Sequence, residues 1–374
     1  MNLLVKPRSF TMCSRTSTPL GLMYIAAMDN SAEIVDLAID KKINIRGYIN
    51  EHRPEVVGVQ VYTPGRGESF RILQQAKEDT GCITVAGGPH VAVMRRQIEK
   101  FDFIDHLVIG DGEYAWKEIV GNRDKEDGPK RTIRQLVSNL DELPLPAWEK
   151  IRTSRYSKNR ISVVLGRGCD GKCTFCSAWW VNGAYRHHSG EWLLEHLNKI
   201  ARHSHSKILI FQDDCLTNTD SGYDALVTAL RQFRKRHKWK FIGTTRIDRI
   251  TKEQVFELKS LGFVQLAFGI ENGSQEILEK INKQTDLSQA FRVRKWFKEA
   301  DLSFKALMMT GFPFETPETR KEDTAFRVAL QPDEWGSIGH IAVFPGTKLY
   351  RDMKKEGAIS DDFWLGEEPY YKIG

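Results

Sequence analysis

The chain reads as an α/β protein of two parts: a doubly wound, flavodoxin-like (Rossmann-like) domain followed by a partial (β/α)6 barrel. Three observations predict this. Strand and helix signals alternate over the first 120 or so residues. A proline-rich stretch then breaks the pattern. From about residue 160 the alternation resumes at a longer period. Strands that alternate with helices imply parallel sheets covered on both faces. A length of 374 residues suits two domains.

In the first part, Asn2–Lys6 is a short apolar strand and Pro19–Ala27 starts a helix. Glu33–Ile39 is a second strand, and the β-branched run Glu55–Tyr62 a third. Glu68–Thr80 is helical, Cys82–Ala86 is a fourth strand, Gln97–Lys100 closes a helix, and His106–Ile109 is a fifth strand. The segment Glu142-Leu143-Pro144-Leu145-Pro146-Ala147-Trp148 permits no regular element, because each proline fixes φ and lacks an N–H. The domain boundaries expected are therefore 1–125 for the doubly wound domain, 126–158 for a linker, 159–350 for the barrel and 351–374 for a short tail. In the barrel the expected strands are Ile161–Leu165, Lys207–Phe211, Phe241–Thr245, Val264–Phe268, Ser303–Met308 and Ser337–Val343. Helical patterns such as Ser189–His203, Tyr223–His237, Lys252–Leu261 and Leu287–Ala300 lie between them.

Composition narrows the function classes. Hydrophobic residues at 41% and charged residues at 28% exclude a disordered or collagen-like chain. No apolar run approaches the ~18 residues of a membrane span, and the N-terminus has no basic head with a long apolar stretch behind it. The net charge is +6, and the densest basic run, Arg231 to Lys240, reads as the solvated end of an amphipathic helix rather than a phosphate grip. Nucleic-acid binding is therefore not expected. Six cysteines are too few for a disulfide scaffold, and three of them fall within eight residues.

That triplet is Cys169-x-x-x-Cys173-x-x-Cys176, inside Gly166-Arg167-Gly168-Cys169-Asp170-Gly171-Lys172-Cys173-Thr174-Phe175-Cys176. It directly follows an apolar strand, and its glycines let the backbone turn tightly. Three thiolates without a fourth Cys or nearby His point to a 4Fe–4S cluster with one open iron. Tetrahedral zinc and a chance group of buried thiols are the competing readings.

The triplet, with Phe175 before its last Cys, resembles the signature of the radical S-adenosylmethionine (SAM) superfamily. The resemblance implies that Cys169, Cys173 and Cys176 hold the cluster and that SAM chelates the fourth iron. Reductive cleavage then yields methionine and a 5′-deoxyadenosyl radical. It also implies a reducing, cytoplasmic setting and an electron donor such as flavodoxin or ferredoxin. Further segments agree: Phe211-Gln212-Asp213-Asp214, Thr244 to Asp248, Gly269-Ile270-Glu271-Asn272-Gly273-Ser274, Gly311-Phe312-Pro313 and Phe344-Pro345-Gly346-Thr347 all end strands. A parallel barrel places its site there. The SAM contacts so implied are Phe175, Asp213, Arg246, Gly269, Glu271, Ser274 and Pro345, with Arg246 suited to a carboxylate and Glu271 to an ammonium or ribose hydroxyls.

In the first domain the strand-end turns Tyr62-Thr63-Pro64-Gly65, Gly87-Gly88-Pro89-His90 and Gly110-Asp111-Gly112-Glu113 would line the crevice of a doubly wound sheet. With Pro19-Leu20-Gly21-Leu22 and Val57-Gly58-Val59-Gln60, they resemble the cobalamin-binding domain that precedes many radical SAM enzymes. The implied cobalamin contacts are Tyr62, Thr63, Gly87, Gly88, Gly110 and Glu113. The Asp-x-His-x-x-Gly motif of other cobalamin proteins is absent; the corresponding loop reads Arg8 to Arg15. His90 reads as a turn residue. Cys82 reads as core, Cys13 as a loop residue facing the corrin, and Cys215 as a weak catalytic candidate.

The function expected is a cobalamin-dependent radical SAM methyltransferase acting on an unactivated carbon. The alternatives are a radical SAM cyclase, rearrangement or other oxidoreductive enzyme, and a non-catalytic iron–sulfur carrier. Little chain follows Thr347, so the substrate is expected to be enclosed by the two domains, the tail or a partner. No pattern names the substrate or the oligomeric state. Trp179 and Trp180 could wall a cavity or pack in a core.

Overall fold

The computed structural model describes residues 1–8, 17–122, 131–156, 160–336 and 338–365. Two parallel sheets organise it. The first contains β1 (Asn2–Lys6), β2 (Ala32–Asp36), β3 (Val56–Gln60), β4 (Ile83–Gly87), β5 (His106–Gly110) and β6 (Arg131–Gln135) in the order β2-β1-β3-β4-β5-β6. Every neighbouring pair is parallel. The first five strands follow flavodoxin-like order, whose switch point between β1 and β3 opens a crevice at the strands' carboxyl ends. These strands are nearly continuous runs of buried residues, as a sheet covered on both faces requires. β6 falls in the segment expected to be linker, and its register on β5 runs from His106↔Arg131 to Gly110↔Gln135.

The second sheet starts at β7 (Arg160–Val163). Next comes a small antiparallel pair, β8 (Gly166–Arg167) with β9 (Arg186–His187), whose register joins Gly166 to His187 and Arg167 to Arg186. The sheet continues through β10 (Ile208–Phe211), β11 (Lys240–Thr245), β12 (Phe263–Glu271), β13 (Ser303–Thr310) and the short β14 (Glu334–Trp335). The order β7-β10-β11-β12-β13-β14 is sequential and stays open between β7 and β14. Of the expected sixth strand, Ser337–Val343, only Gly339–His340 is strand among the described residues, and the short β14 precedes it. β14 and β15 (Gly339–His340) both pair with β13. Between them Gly336 donates to the Ala306 carbonyl at 2.7 Å, where a Cβ would run into Leu307.

The layer between the barrel sheet and its helices is aromatic, with Phe268 and Phe304 packed on Phe297 of helix Leu287–Glu299. Phe211, Phe241, Phe263, Phe268 and Phe304 are all essentially inaccessible, and Phe211 and Phe263 stack at 5.8 Å. The segment expected to be a free linker is partly buried. Trp148 is fully enclosed and donates its Nε1–H to His196 Nε2 at 3.0 Å, while the Ala147 amide donates to the Met23 carbonyl. The tail is not free either. Helix Lys348–Lys355 and Trp364 join one apolar cluster with Leu3, Val57 and Leu73 of the first domain. No described helix is long and apolar enough to cross a membrane.

Candidate active site at the junction of two sheets

Three elements set the cysteine loop. β7 delivers the chain to Gly166, and the β8–β9 pair closes the base of the 168–185 excursion. From the end of β10, Asp213 accepts the Gly166 amide at 2.8 Å and the Leu165 amide at 3.1 Å. Gly168 has φ 90°, and a Cβ there would lie 2.9 Å from the Gly183 carbonyl, so only glycine fits this turn.

Cys169, Cys173 and Cys176 are unpaired thiols on this loop. Cys169 Sγ accepts from the Gly171 amide at 3.3 Å, and Cys176 Sγ from the Ala178 amide at 3.4 Å. Arg246 Nη1 lies 3.7 Å from Cys173 Sγ. A Cβ on Gly171 would fall 2.8 Å from Arg246 and 3.3 Å from Cys169 Sγ, so the loop wraps a closely lined cradle. Burial pushes the Cys169 thiol up to about 11 and the Cys176 thiol up to about 12. Such thiols stay protonated until a cation replaces the proton. Among the described residues no three His, Cys, Asp or Glu side chains converge tightly enough for a single ion. A mononuclear site would need its sulfurs within about 4 Å, given metal–sulfur bonds of ~2.3 Å. A cluster accepts wider spacing, since each thiolate binds a different iron. Three soft thiols with amide donors to sulfur fit an iron–sulfur cluster.

Beside Cys173 the ends of β11 and β12 bring Arg246, Gly269 and Glu271 together with Lys283 of a helix–helix turn. Arg246 forms a fork to Asp248 (3.0 and 2.9 Å) and donates Nη2 to the Lys283 carbonyl at 2.7 Å. Its guanidinium is thus largely engaged, with Nη1 left toward the cysteine. Glu271 follows a bulge in β12, has φ 74°, and pairs with buried Lys283 at 2.7 Å. A non-glycine residue in the left-handed region is strained and is held there by its surroundings. A Cβ on Gly269 would meet the Glu271 carboxylate. Lys283 escaped the sequence reading because it lies in a helix–helix turn, away from any strand end.

The other expected SAM contacts divide. Phe175 is half-buried, with its ring 6.3 Å from that of Phe312. Pro345 is buried. Asp213 and Ser274 already have partners within the protein. Asp213 spends its carboxylate on loop amides, and buried Ser274 donates to Glu322 at 2.5 Å. Cys215 lies apart from the open space. It is fully enclosed with its thiol 3.4 Å from the Thr245 hydroxyl, so it faces no substrate space.

The carboxyl ends of β1, β3, β4 and β5 open on a cavity of about 700 Å³, closed on the far side by Gly166, Arg167, Gly168 and Asp214. Tyr62, Gly87, Gly88, Gly110 and Glu113 line it. Thr63 does not. Its buried hydroxyl bonds His90 Nδ1 at 3.1 Å, which keeps His90 inside the turn. Glu113 lines the wall but is already paired with Arg167 at 2.6 Å. Trp116 packs under Gly58 and forms part of the lining. This broad, mostly apolar chamber beside a glycine-lined sheet edge suits a large planar ligand, and it abuts the cysteine loop. Cys13 lies outside the described residues. Cys82 is core. Trp179 and Trp180 are 39% and 52% exposed and do not line the cavity. The basic run ends helix Asp220–Arg234, where Arg231 pairs with Glu257.

Comparison with known proteins agrees with this arrangement. Residues 163–326 match the radical SAM superfamily and residues 14–120 match the B12 binding domain. An uncharacterized methyltransferase of Pyrococcus horikoshii is 28% identical over 97% of this chain and 84% of its own length. The anaerobic magnesium-protoporphyrin IX monomethyl ester cyclase of Rubrivivax gelatinosus is 24% identical over 91% of this chain and 64% of its own. Among solved structures, the cobalamin-dependent SAM radical enzyme OxsB superposes with a TM-score of 0.79 at 16% identity, over 95% of this chain and 61% of that one. The radical SAM methyltransferase TsrM of Kitasatospora setae gives 0.78 at 16%, over 96% and 75%. At that identity the likeness is one of fold.

Proposed function

We propose that this chain, whose residues 163–326 match the radical SAM superfamily and whose residues 14–120 match the B12 binding domain, is a cobalamin-dependent methyltransferase acting on an unactivated carbon. The observation that carries this reading is adjacency: the cysteine loop and the cavity of the first sheet share Gly166, Arg167 and Gly168 as a common wall.

When bound, the cluster supplies the electron that splits SAM into methionine and a 5′-deoxyadenosyl radical, and cobalamin supplies a methyl carrier. Cys169, Cys173 and Cys176 hold the cluster. Arg246 Nη1 and Lys283 place positive charge beside Cys173, which stabilises the negative charge that SAM's carboxylate brings there. Glu271, positioned by Lys283, accepts from an ammonium or from ribose hydroxyls. Tyr62, Gly87, Gly88 and Gly110 receive the corrin.

The chain spans about three-fifths of OxsB and of the cyclase, so the substrate class is not carried over from them. The cyclase relative favours a second reading, in which the same radical drives a ring closure or another oxidation without methyl transfer. Cell-extract fractions incubated with reconstituted protein, reductant and SAM separate the two. Methyl transfer leaves both 5′-deoxyadenosine and S-adenosylhomocysteine, because the methyl comes from a second SAM. Cyclisation leaves 5′-deoxyadenosine alone. Cys173→Ala should abolish 5′-deoxyadenosine formation, and full activity in that variant would overturn the radical SAM assignment of the loop.

A further inference from the structure

A buried set of charges ties the cysteine loop to the cavity wall. Arg167, two residues before Cys169, donates Nη1 to Asp111 at 2.6 Å and Nη2 to Glu113 at 2.6 Å. Arg186, across the β8–β9 pair, donates Nη1 to the other Asp111 oxygen at 2.6 Å and Nη2 to the Asn182 carbonyl at 2.9 Å. That same Asp111 oxygen accepts the Val137 amide at 2.7 Å. The ring of Tyr24 lies 4.9 Å beneath the Arg167 guanidinium. The side chains of Arg167, Arg186, Asp111 and Glu113 are 16%, 14%, 6% and 3% exposed. Two cations balance two carboxylates, and the planar forks of arginine fix their geometry.

The two sides of this set belong to different domains. Asp111 and Glu113 alternate with Gly110 and Gly112, which line the cavity. Arg167 alternates with Gly166 and Gly168, which line it from the barrel side. Separating the loops would leave charges buried without partners, which is costly. A shift of one loop must therefore move the other. Binding that fixes one side lowers the cost of fixing the other, and such coupling is reciprocal.

We propose that Arg167 is a positioning residue that couples occupancy of the cavity by cobalamin to the conformation of the cysteine loop, so that cobalamin binds more tightly to cluster-loaded than to cluster-free protein. This rests on the cofactor reading above. The sequence pattern hid the role, since an arginine beside a metal-binding cysteine shows nothing of the loop it grips.

The test titrates hydroxocobalamin into the full chain, cluster-free and anaerobically reconstituted, with equilibrium dialysis read by corrin absorbance. The wild type should bind about tenfold more tightly when the cluster is present. In Arg167→Gln the ratio of the two affinities should fall to near one. Arg167→Lys, which keeps the charge but not the fork, should give an intermediate ratio. A role confined to folding would weaken both affinities together and preserve the ratio, and that result overturns the inference, as does a wild-type ratio of one. Hydrogen exchange of the wild type needs no variant: adding hydroxocobalamin to cluster-free protein should slow exchange in residues 166–173 as well as 110–113. Protection confined to 110–113 overturns the coupling. If neither form binds hydroxocobalamin, the cofactor reading itself falls and takes this inference with it.

Discussion

Asp213 accepts the amides of Leu165 and Gly166 in a site closed to water, and burial pushes its carboxyl up to about 7 against those hydrogen bonds. Its ordinary value is 3.8. Between those values the folded chain keeps a proton that the unfolded chain has released. The group's contribution to stability therefore falls as pH rises from about 4 to 7, and is level above. In Asp213→Asn the amide oxygen can still accept from Gly166, and thermal melts should lose this pH-dependent part. A variant whose melting temperature tracks the wild type at a constant offset from pH 4 to 8 would refute it. Loss of Lys283 should be severe. Lys283→Met leaves Glu271 half-enclosed, strained and unpaired. Denaturant titration should show a loss of about 3 kcal/mol, and SAM affinity, measured by calorimetry on the reconstituted protein, should fall with it.

At the scale of the element, β3 shows how packing and cavity share residues. Gly58 sits mid-strand with Trp116 on one side; a Cβ would lie 2.6 Å from the indole and 3.0 Å from Leu4. The indole is held by its Nε1–H to Asp29 at 3.1 Å. Gly58→Val has nowhere to put its side chain except by driving Trp116 toward the chamber it lines. We expect a loss of about 2 kcal/mol in chemical denaturation, and weaker hydroxocobalamin binding in dialysis. A second element, helix Gly190–His203, pins the linker: Ser189 caps it through the Trp192 amide, Asp141 binds the Ser189 amide, and Trp192 donates to the Leu143 carbonyl. The Leu-Pro-Leu-Pro stretch reads as a strap from sequence because proline excludes it from helix and sheet interiors. That the strap is buried follows only from the side chains it meets.

At the scale of the whole molecule, three imidazoles are enclosed among the described residues, one per contact zone: His90 in the first domain, His188 at the junction, and His196 under the linker. Burial lowers each to about 3 from 6.5. Below about pH 6.5 the unfolded chain takes up protons that the folded chain refuses, so stability falls with acid. The sign is opposite to that of Asp213, and His196→Gln, which keeps an acceptor for Trp148, should flatten the slope of melting temperature between pH 4.5 and 6.5. The parallel strands, their approximate ends and the cysteine loop were legible in the sequence, because buried strands announce themselves as β-branched runs such as Val56–Gln60 and the triplet's spacing is local. The residues of β6 were not legible: Arg131–Gln135 has no apolar run, and only register on β5 makes it a strand. Among site residues, local motifs singled out Cys169, Cys173, Cys176, Gly87, Gly88 and Gly110 by type and position. They could not separate Asp213, Ser274 and Thr63, which hold loops in place, from neighbours that face open space, because a motif carries residue identity and not side-chain direction. Sequence alone determined two parallel α/β sheets and a three-thiol loop, since those depend on period and spacing. Which loop of one sheet faces which loop of the other was decided by tertiary structure, through charges such as Arg167 and Asp111 that are 56 residues apart in the chain and touch only when both sheets are formed.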